Sequence, residues 1–201
     1  MNFLAHQHLS QQYKGIRAGN FLADFIRGND LEKYPEEVQL GIKLHRKIDE
    51  YTDTHPIVSR SKHRLYKYQG KYTSVIMDIY YDYFLAKKWV NYSDEKLNEF
   101  SQTVYADFEE MKLVFTEKII SILPAMKKND WFYNYQFYWG IEKSLLSIAR
   151  RAHFSNKIVD SLKHLKILEQ ELEKDFEEFY PQLMAMTIDF IATHKSFLDK
   201  K

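Results

Sequence analysis

The first fifty-odd residues set several ionisable side chains among apolar neighbours: His6 and His8 in MNFLAHQHLS, Asp24 in GNFLADF, and His45, Asp49 and Asp53 in GIKLHRKIDEYTDTH. An ionisable group in apolar surroundings is costly unless it is paired, hydrogen-bonded or bound to a metal. His45, Asp49 and Asp53 succeed one another at intervals of four, one position round a helix from the apolar series Leu40, Leu44, Ile48 and Tyr51. All three can therefore look into one crevice beside the core. In TSVIMDIYYDYFLAKKW, the series Val75, Asp78, Asp82, Leu85 and Trp89 puts two carboxylates inside a stripe of core residues. Carboxylates one helical turn apart repel each other and burial adds to the cost, so a cation is expected near them.

Each residue taken alone has an ordinary reading. His6 or His8 can be hydrogen-bonded to a backbone carbonyl, Asp24 can pair with Arg27, Asp49 with Arg46, and Asn20 can cap a helix or bind a phosphate oxygen. Taken together, the histidines and aspartates form a donor set suited to Mn, Mg, Fe or Zn. A cation so held polarises a phosphoryl oxygen and acidifies a bound water, which makes phosphoester hydrolysis the natural chemistry. Other chemistries lack their parts: the chain has no cysteine, no phosphate-binding P-loop, no glycine-rich dinucleotide motif and no GxSxG elbow.

The elements that must position these groups read as helices. Apolar spacing is mostly three and four, no convincing strand alternation appears, and only 6 glycines and 4 prolines interrupt 201 residues. Helices are expected over 2–12 and 20–27, divided by a loop carrying Gly15 and Gly19, with Asn20 as N-cap. A long helix should run from near Pro35 to Asp53, followed by helices over 57–68, 72–91, 94–122, 130–152 and 156–178. Pro181 should break the chain before a last helix to about 198. The expected fold is all-α, an irregular single domain of seven to nine helices over 1–201. With 29 basic against 28 acidic residues there is no whole-molecule field for nucleic acid, so a charged partner must meet a local patch. No signal peptide and no apolar run of about 18 residues is visible, so a cytoplasmic protein with no membrane partner is expected. The oligomeric state stays open.

The segments MNFLAHQHL, GNFLADFIRG, GIKLHRKIDEYTDTHP and DIYYDYFLAKKW, with the weaker NDWFYNYQFYWGIE and FYPQLM, resemble the acyl carrier protein phosphodiesterases in order and spacing over nearly the whole chain. The resemblance implies a helical fold distantly similar to the HD-domain phosphohydrolases and a manganese-dependent reaction. That reaction converts holo acyl carrier protein into apo carrier and 4'-phosphopantetheine. Asp24 carries over most securely. The working assignment sets His6, Asp24, His45 and Asp82 around the metal, with Asp78 as a further ligand. Asp49 orients the attacking water or a ligating histidine, and Asn20, Arg27 and Arg46 face the substrate. The adjacent His-Asp pair of the HD domain is missing, so its ligands do not transfer directly. Because carrier proteins are acidic, Arg17, Arg27 and Lys43 are candidates for the mouth, and the acidic EQELEKDFEEF segment should lie away from it. The aromatic run from Trp131 to Trp139 either lines a groove for the pantetheine arm or packs in the core. Two other readings stand beside this one: a phosphohydrolase of a small nucleotide or phosphoester, and a non-catalytic helical binding module.

Overall fold

The computed structural model describes residues 1–152 and 156–194. Among them all regular structure is helical: α1 (Phe3–Leu9), α2 (Lys14–Leu22), α3 (Glu36–Thr54), α4 (Pro56–Gln69) and α5 (Thr73–Lys87) are followed by α6 (Leu97–Glu110), α7 (Glu117–Lys128), the single turn α8 (Trp131–Asn134), α9 (Tyr138–Arg151) and α10 (Ser161–His194). The all-α, irregular multi-helix expectation holds. The described residues contain ten α-helices rather than seven to nine, because longer stretches divide. Residues 94–122 break after Glu110, and Thr116 restarts the chain as α7 by accepting the Ile119 N–H. Residues 130–152 part at Phe137, whose backbone is extended, and the 72–91 stretch leaves the α-helix after Lys87 for a 3-10 turn over Trp89–Asn91. No helix among the described residues is long and apolar enough to cross a membrane.

Helix α3 starts after Pro35 with Glu36 and Glu37 in its first turn, where carboxylates favour the helix dipole. Leu40, Leu44 and Ile48 are buried and Tyr51 half-buried, as their spacing predicts. Helix α5 is buried on nearly every side, through Ile76, Met77, Tyr80, Tyr81, Phe84 and Leu85. It packs against α1, α4, α9 and α10. Val75, expected in the core stripe, lies at the surface, while Asp82, Leu85 and Trp89 are buried.

Glycines and prolines that would ordinarily break a helix lie inside helices here. Gly15 and Gly19, expected in a loop, belong to α2, and Asn20 is therefore an interior residue with no helix start to cap. A Cβ on Gly19 would collide with the Val38 carbonyl, and one on Gly41 would collide with the Ile16 carbonyl. The two glycines let α2 and α3 cross in backbone contact, the close approach for which a missing side chain is needed. That crossing presses Asn20 against α3. Pro181 lies within the 34-residue α10 instead of ending it. An interior proline costs about 3 kcal/mol through its lost hydrogen bond and its clash. Pro181 is on the solvent face, however, and the flanking Phe176, Phe179, Tyr180 and Leu183 are fully buried, each worth roughly 1.5–3 kcal/mol. Packing on the inner face holds the helix through its proline.

Candidate metal centre

Helices α1 and α2 each send one polar group to a common point, and α3 sends two. His6 of α1 and His45 of α3 stack with ring centroids 4.2 Å apart. Asn20 of α2, wholly buried, lies behind both rings, its Oδ1 2.7 Å from His6 Nδ1 and 3.0 Å from His45 Nδ1. The opposite ring edges face Asp49, one turn beyond His45. His6 Nε2 is 3.3 Å from Asp49 Oδ1, and His45 Nε2 is 3.2 Å from Asp49 Oδ2. Asp24, on the 3-10 turn Ala23–Phe25 that follows α2, brings Oδ1 to 3.7 Å from His45 Nε2. Asp24 and Asp49 keep 41% and 44% of their side chains exposed, so the crevice opens to solvent on the carboxylate side.

One atom in this cluster is conspicuously short of a partner: His6 Nε2 is buried and makes no hydrogen bond. Burial, with His45 adding to it, lowers the His6 pKa to about 4, so at neutral pH the ring carries no charge. His6, His45 and Asp49 each offer one ligand atom, and these atoms lie within 4.8 Å of one another. Two imidazoles and a carboxylate, each ring held from behind at its other nitrogen, make a donor set suited to a divalent first-row cation. The residues fit a metal. Burial raises the Asp24 pKa, partly offset by His45, which suits a group at the open edge that exchanges a proton.

The sequence-derived candidates divide. The structure unites His6, Asp24, His45 and Asp49, so that Asp49, expected to orient the attacking water or a ligating histidine, stands with the two rings, and Asp82, expected beside the metal, does not. Asp82 is fully buried, and its two oxygens accept the Leu4 and Ala5 N–H groups at 2.7 and 3.1 Å. It thus anchors the start of the helix that carries His6. Burial pushes its pKa up to about 7 despite those two bonds. Asp78 is 3.1 Å from the Met1 ammonium, which is also 3.8 Å from Asp49, so Asp78 borders the crevice through that charge. Asp53 leaves the group altogether and pairs with Lys62 at the surface, 2.7 Å away. His8 follows the ordinary reading, bonded to the Tyr180 hydroxyl and the Tyr92 carbonyl.

The cationic candidates divide as well. Arg17 is buried on Asp107 at 2.7 Å and cannot face a mouth. Arg46, also exposed, does not pair with Asp49. It donates to the Gly28 carbonyl at 2.5 Å and to Asn29 Oδ1 at 2.8 Å, pinning the loop that follows Asp24. Arg27 and Lys43 are exposed. Asn20 has both ends of its amide engaged, since Nδ2 donates to the His6 carbonyl and to Ser10 Oγ. A residue read as a cap is thus the common support of both histidines. The signal available in the sequence was Gly15 and Gly19 four apart, a spacing that also suits a helix lying tight on a neighbour.

Residues 1–183 match the family model described as acyl carrier protein phosphodiesterase. A protein of that name from Shigella boydii serotype 18 is 32% identical over 199 residues, covering 98% of this chain and 100% of the relative. Another from Escherichia coli O6:H1 is 33% identical over 187 residues, covering 92% and 96%, and one from Enterobacter sp. strain 638 is 31% identical over 185 residues, again 92% and 96%. No solved structure matches the chain.

Proposed function

The chain belongs to the acyl carrier protein phosphodiesterase family, and from that premise we propose that it hydrolyses holo acyl carrier protein to apo carrier and 4'-phosphopantetheine. The observation that carries the chemistry is the convergence of His6 Nε2, His45 Nε2 and the Asp49 carboxylate on one point beside Asp24. On this reading His6, His45 and Asp49 hold a divalent cation, manganese first and magnesium, iron or zinc as alternatives. Its contribution when bound is to polarise a phosphoryl oxygen and acidify water.

The chain's own groups do the rest. Asp24, at the open edge, accepts a proton from the attacking water as the water oxygen joins phosphorus. The bond between phosphorus and the carrier serine oxygen breaks, and that oxygen leaves as a hydroxyl with the proton returned from Asp24. Arg46 fixes the Gly28–Asn29 loop beside Asp24. Arg27, exposed three residues beyond Asp24, offers positive charge to an acidic carrier despite a net charge of only +1, whereas Lys43, two residues before His45, lies on the opposite side of α3. The pantetheine arm is accommodated by the cavity of about 440 Å³ lined by Phe3, Ile79, Trp131 and Trp139, a volume usual for small-molecule sites. Asn2, also in that wall, follows Met1, whose ammonium touches Asp78. The wall of the cavity thus includes the residue next to the ammonium that borders the crevice.

Intact-mass spectrometry of holo acyl carrier protein incubated with the enzyme and Mn(II), against a chelated control, tests the proposal. Loss of the whole phosphopantetheine mass only in the metal sample is expected. An unchanged carrier mass, together with hydrolysis of a nucleotide or simple phosphoester in a parallel sample, would overturn the substrate.

A further inference from the structure

The polar groups behind the two histidines form a chain whose direction is completely determined. Ser10 Oγ donates its one hydrogen to the His6 carbonyl at 2.8 Å. It can therefore only accept from Asn20, whose Nδ2 is 2.9 Å away and also donates to the His6 carbonyl at 3.0 Å. Both amide hydrogens are used by these contacts, which fixes the nitrogen end of the side chain. The oxygen end then faces His6 Nδ1 at 2.7 Å and His45 Nδ1 at 3.0 Å. An amide oxygen accepts and never donates, and it has two lone pairs. Each ring must bring a hydrogen on Nδ1, and each neutral ring is left with a bare lone pair on Nε2.

We infer that Asn20 is a positioning residue that imposes one tautomer on both His6 and His45, so that their two Nε2 lone pairs are aimed together at the cation position beside Asp49. Asn20 touches neither cation nor substrate; it acts through the rings. Without its oxygen, a ring is free to carry its hydrogen on Nε2, where the Asp49 carboxylate 3.2–3.3 Å away would accept it. That hydrogen would stand where a ligand lone pair is required, and a cation would have to displace it. The complete burial of Asn20 excludes water as a substitute acceptor, and Gly19 and Gly41 provide the close α2–α3 crossing that brings one amide within reach of rings on two other helices. The inference rests on the reading that His6 and His45 hold a cation. It does not depend on which ester is cleaved.

The test compares Asn20→Leu, which removes the acceptor, with Asn20→Asp, which keeps an acceptor oxygen towards the rings. Mn(II) titration followed by calorimetry should show about 10–100-fold weaker binding for Asn20→Leu, the usual cost of losing an outer partner of a metal-bound histidine, and substantial recovery in Asn20→Asp. Imidazole nitrogen NMR of the metal-free wild type should show both rings hydrogenated on Nδ1, with hydrogen on Nε2 appearing in Asn20→Leu. Hydrogen on Nε2 of either neutral ring in the wild type, or equal Mn(II) affinity in wild type and Asn20→Leu, would overturn the inference. If Asn20→Leu does not fold, Ser10→Ala takes its place, since it loosens the amide orientation without touching a ring. Unchanged ring signals and unchanged Mn(II) affinity there would count against the directional chain. None of these readouts involves turnover, so failure of the proposed reaction and failure of this inference are seen separately.

Discussion

Two helix-borne aspartates are set among charged or polar side chains in opposite ways. Asp175 on α10 is 3% exposed, and both of its oxygens meet donors: Arg60 Nε at 2.8 Å and Nη2 at 2.7 Å on one, Ser61 Oγ at 2.8 Å and Arg64 Nε at 3.1 Å on the other. Asp49 on α3 instead faces two ring nitrogens whose hydrogens point away, towards Asn20. A carboxylate with every lone pair taken by fixed donors ties α4 to α10 and has nothing left for a ligand. A carboxylate opposite two lone pairs, held meanwhile by solvent and by the Met1 ammonium 3.8 Å away, gains most from a positive charge placed between them. The contrast separates a structural ion pair from a site, and it is drawn by hydrogen direction, since both residue type and helix context are shared.

The sharpest way to break the contrast is to neutralise its open side. Asp49→Ala should lose Mn(II) binding and reduce carrier hydrolysis by on the order of 10³-fold, several kcal/mol of lost electrostatic activation, while circular dichroism remains helical. Turnover near that of the wild type would remove Asp49 from the site. Asp82 supplies an intermediate case, a carboxylate with two amide donors and no facing cationic side chain. Its pKa in the folded protein, about 7, lies above the ordinary 3.8, so its protonated form is the one folding favours. Its contribution is complete below about pH 4 and fades as pH rises through 7. Wild type should lose up to about 4 kcal/mol relative to Asp82→Asn between pH 4 and pH 8, read from urea unfolding at each pH. A constant difference between the two proteins would show that Asp82 is ionised throughout. The smallest effect belongs to the satisfied aspartate. Asp175→Ala should cost about 2–3 kcal/mol of unfolding free energy, less than a fully buried pair because Arg60 and Arg64 are partly exposed and can be rehydrated. Turnover per folded molecule should stay unchanged, and a large loss of turnover would mean that the α4–α10 tie reaches the site.

The acidic segment of α10 makes the same point on the surface. Glu169, Glu173 and Glu177 meet Lys87 and Lys88, and Glu178 meets Arg60. Read along the sequence it is an acidic run; in the fold it is half of an interhelical ion-pair array with α4 and the end of α5. Such exposed pairs contribute little each, but they leave these carboxylates with cationic partners.

The sequence by itself determined what depends on neighbours within one helix. The all-helical class, the α3 stripe of Leu40, Leu44 and Ile48, and the pairing of His45 with Asp49 on one face all follow from the 3.6-residue period, because side chains four apart are neighbours whatever the rest of the chain does. The segments carrying His6 and Asp24 were also marked, and the family to which the chain belongs was legible in the same residues. The same period could not say which of Asp49, Asp53, Asp78 and Asp82 meets a histidine, since that requires the rotation of one helix against another. Asp53 went to Lys62, Asp82 to the amides of α1, and Asp49 alone of the four to the two imidazoles. Nor could local propensity find α2 or the length of α10. Glycine and proline are helix breakers on their own, and only the α2–α3 crossing at Gly19 and the buried faces around Pro181 reverse that preference. The role of Asn20 lies furthest from the sequence. It needs His6 from one helix, His45 from another and a hydroxyl from Ser10 to set the sense of its amide, and that coincidence exists only once three helices are packed.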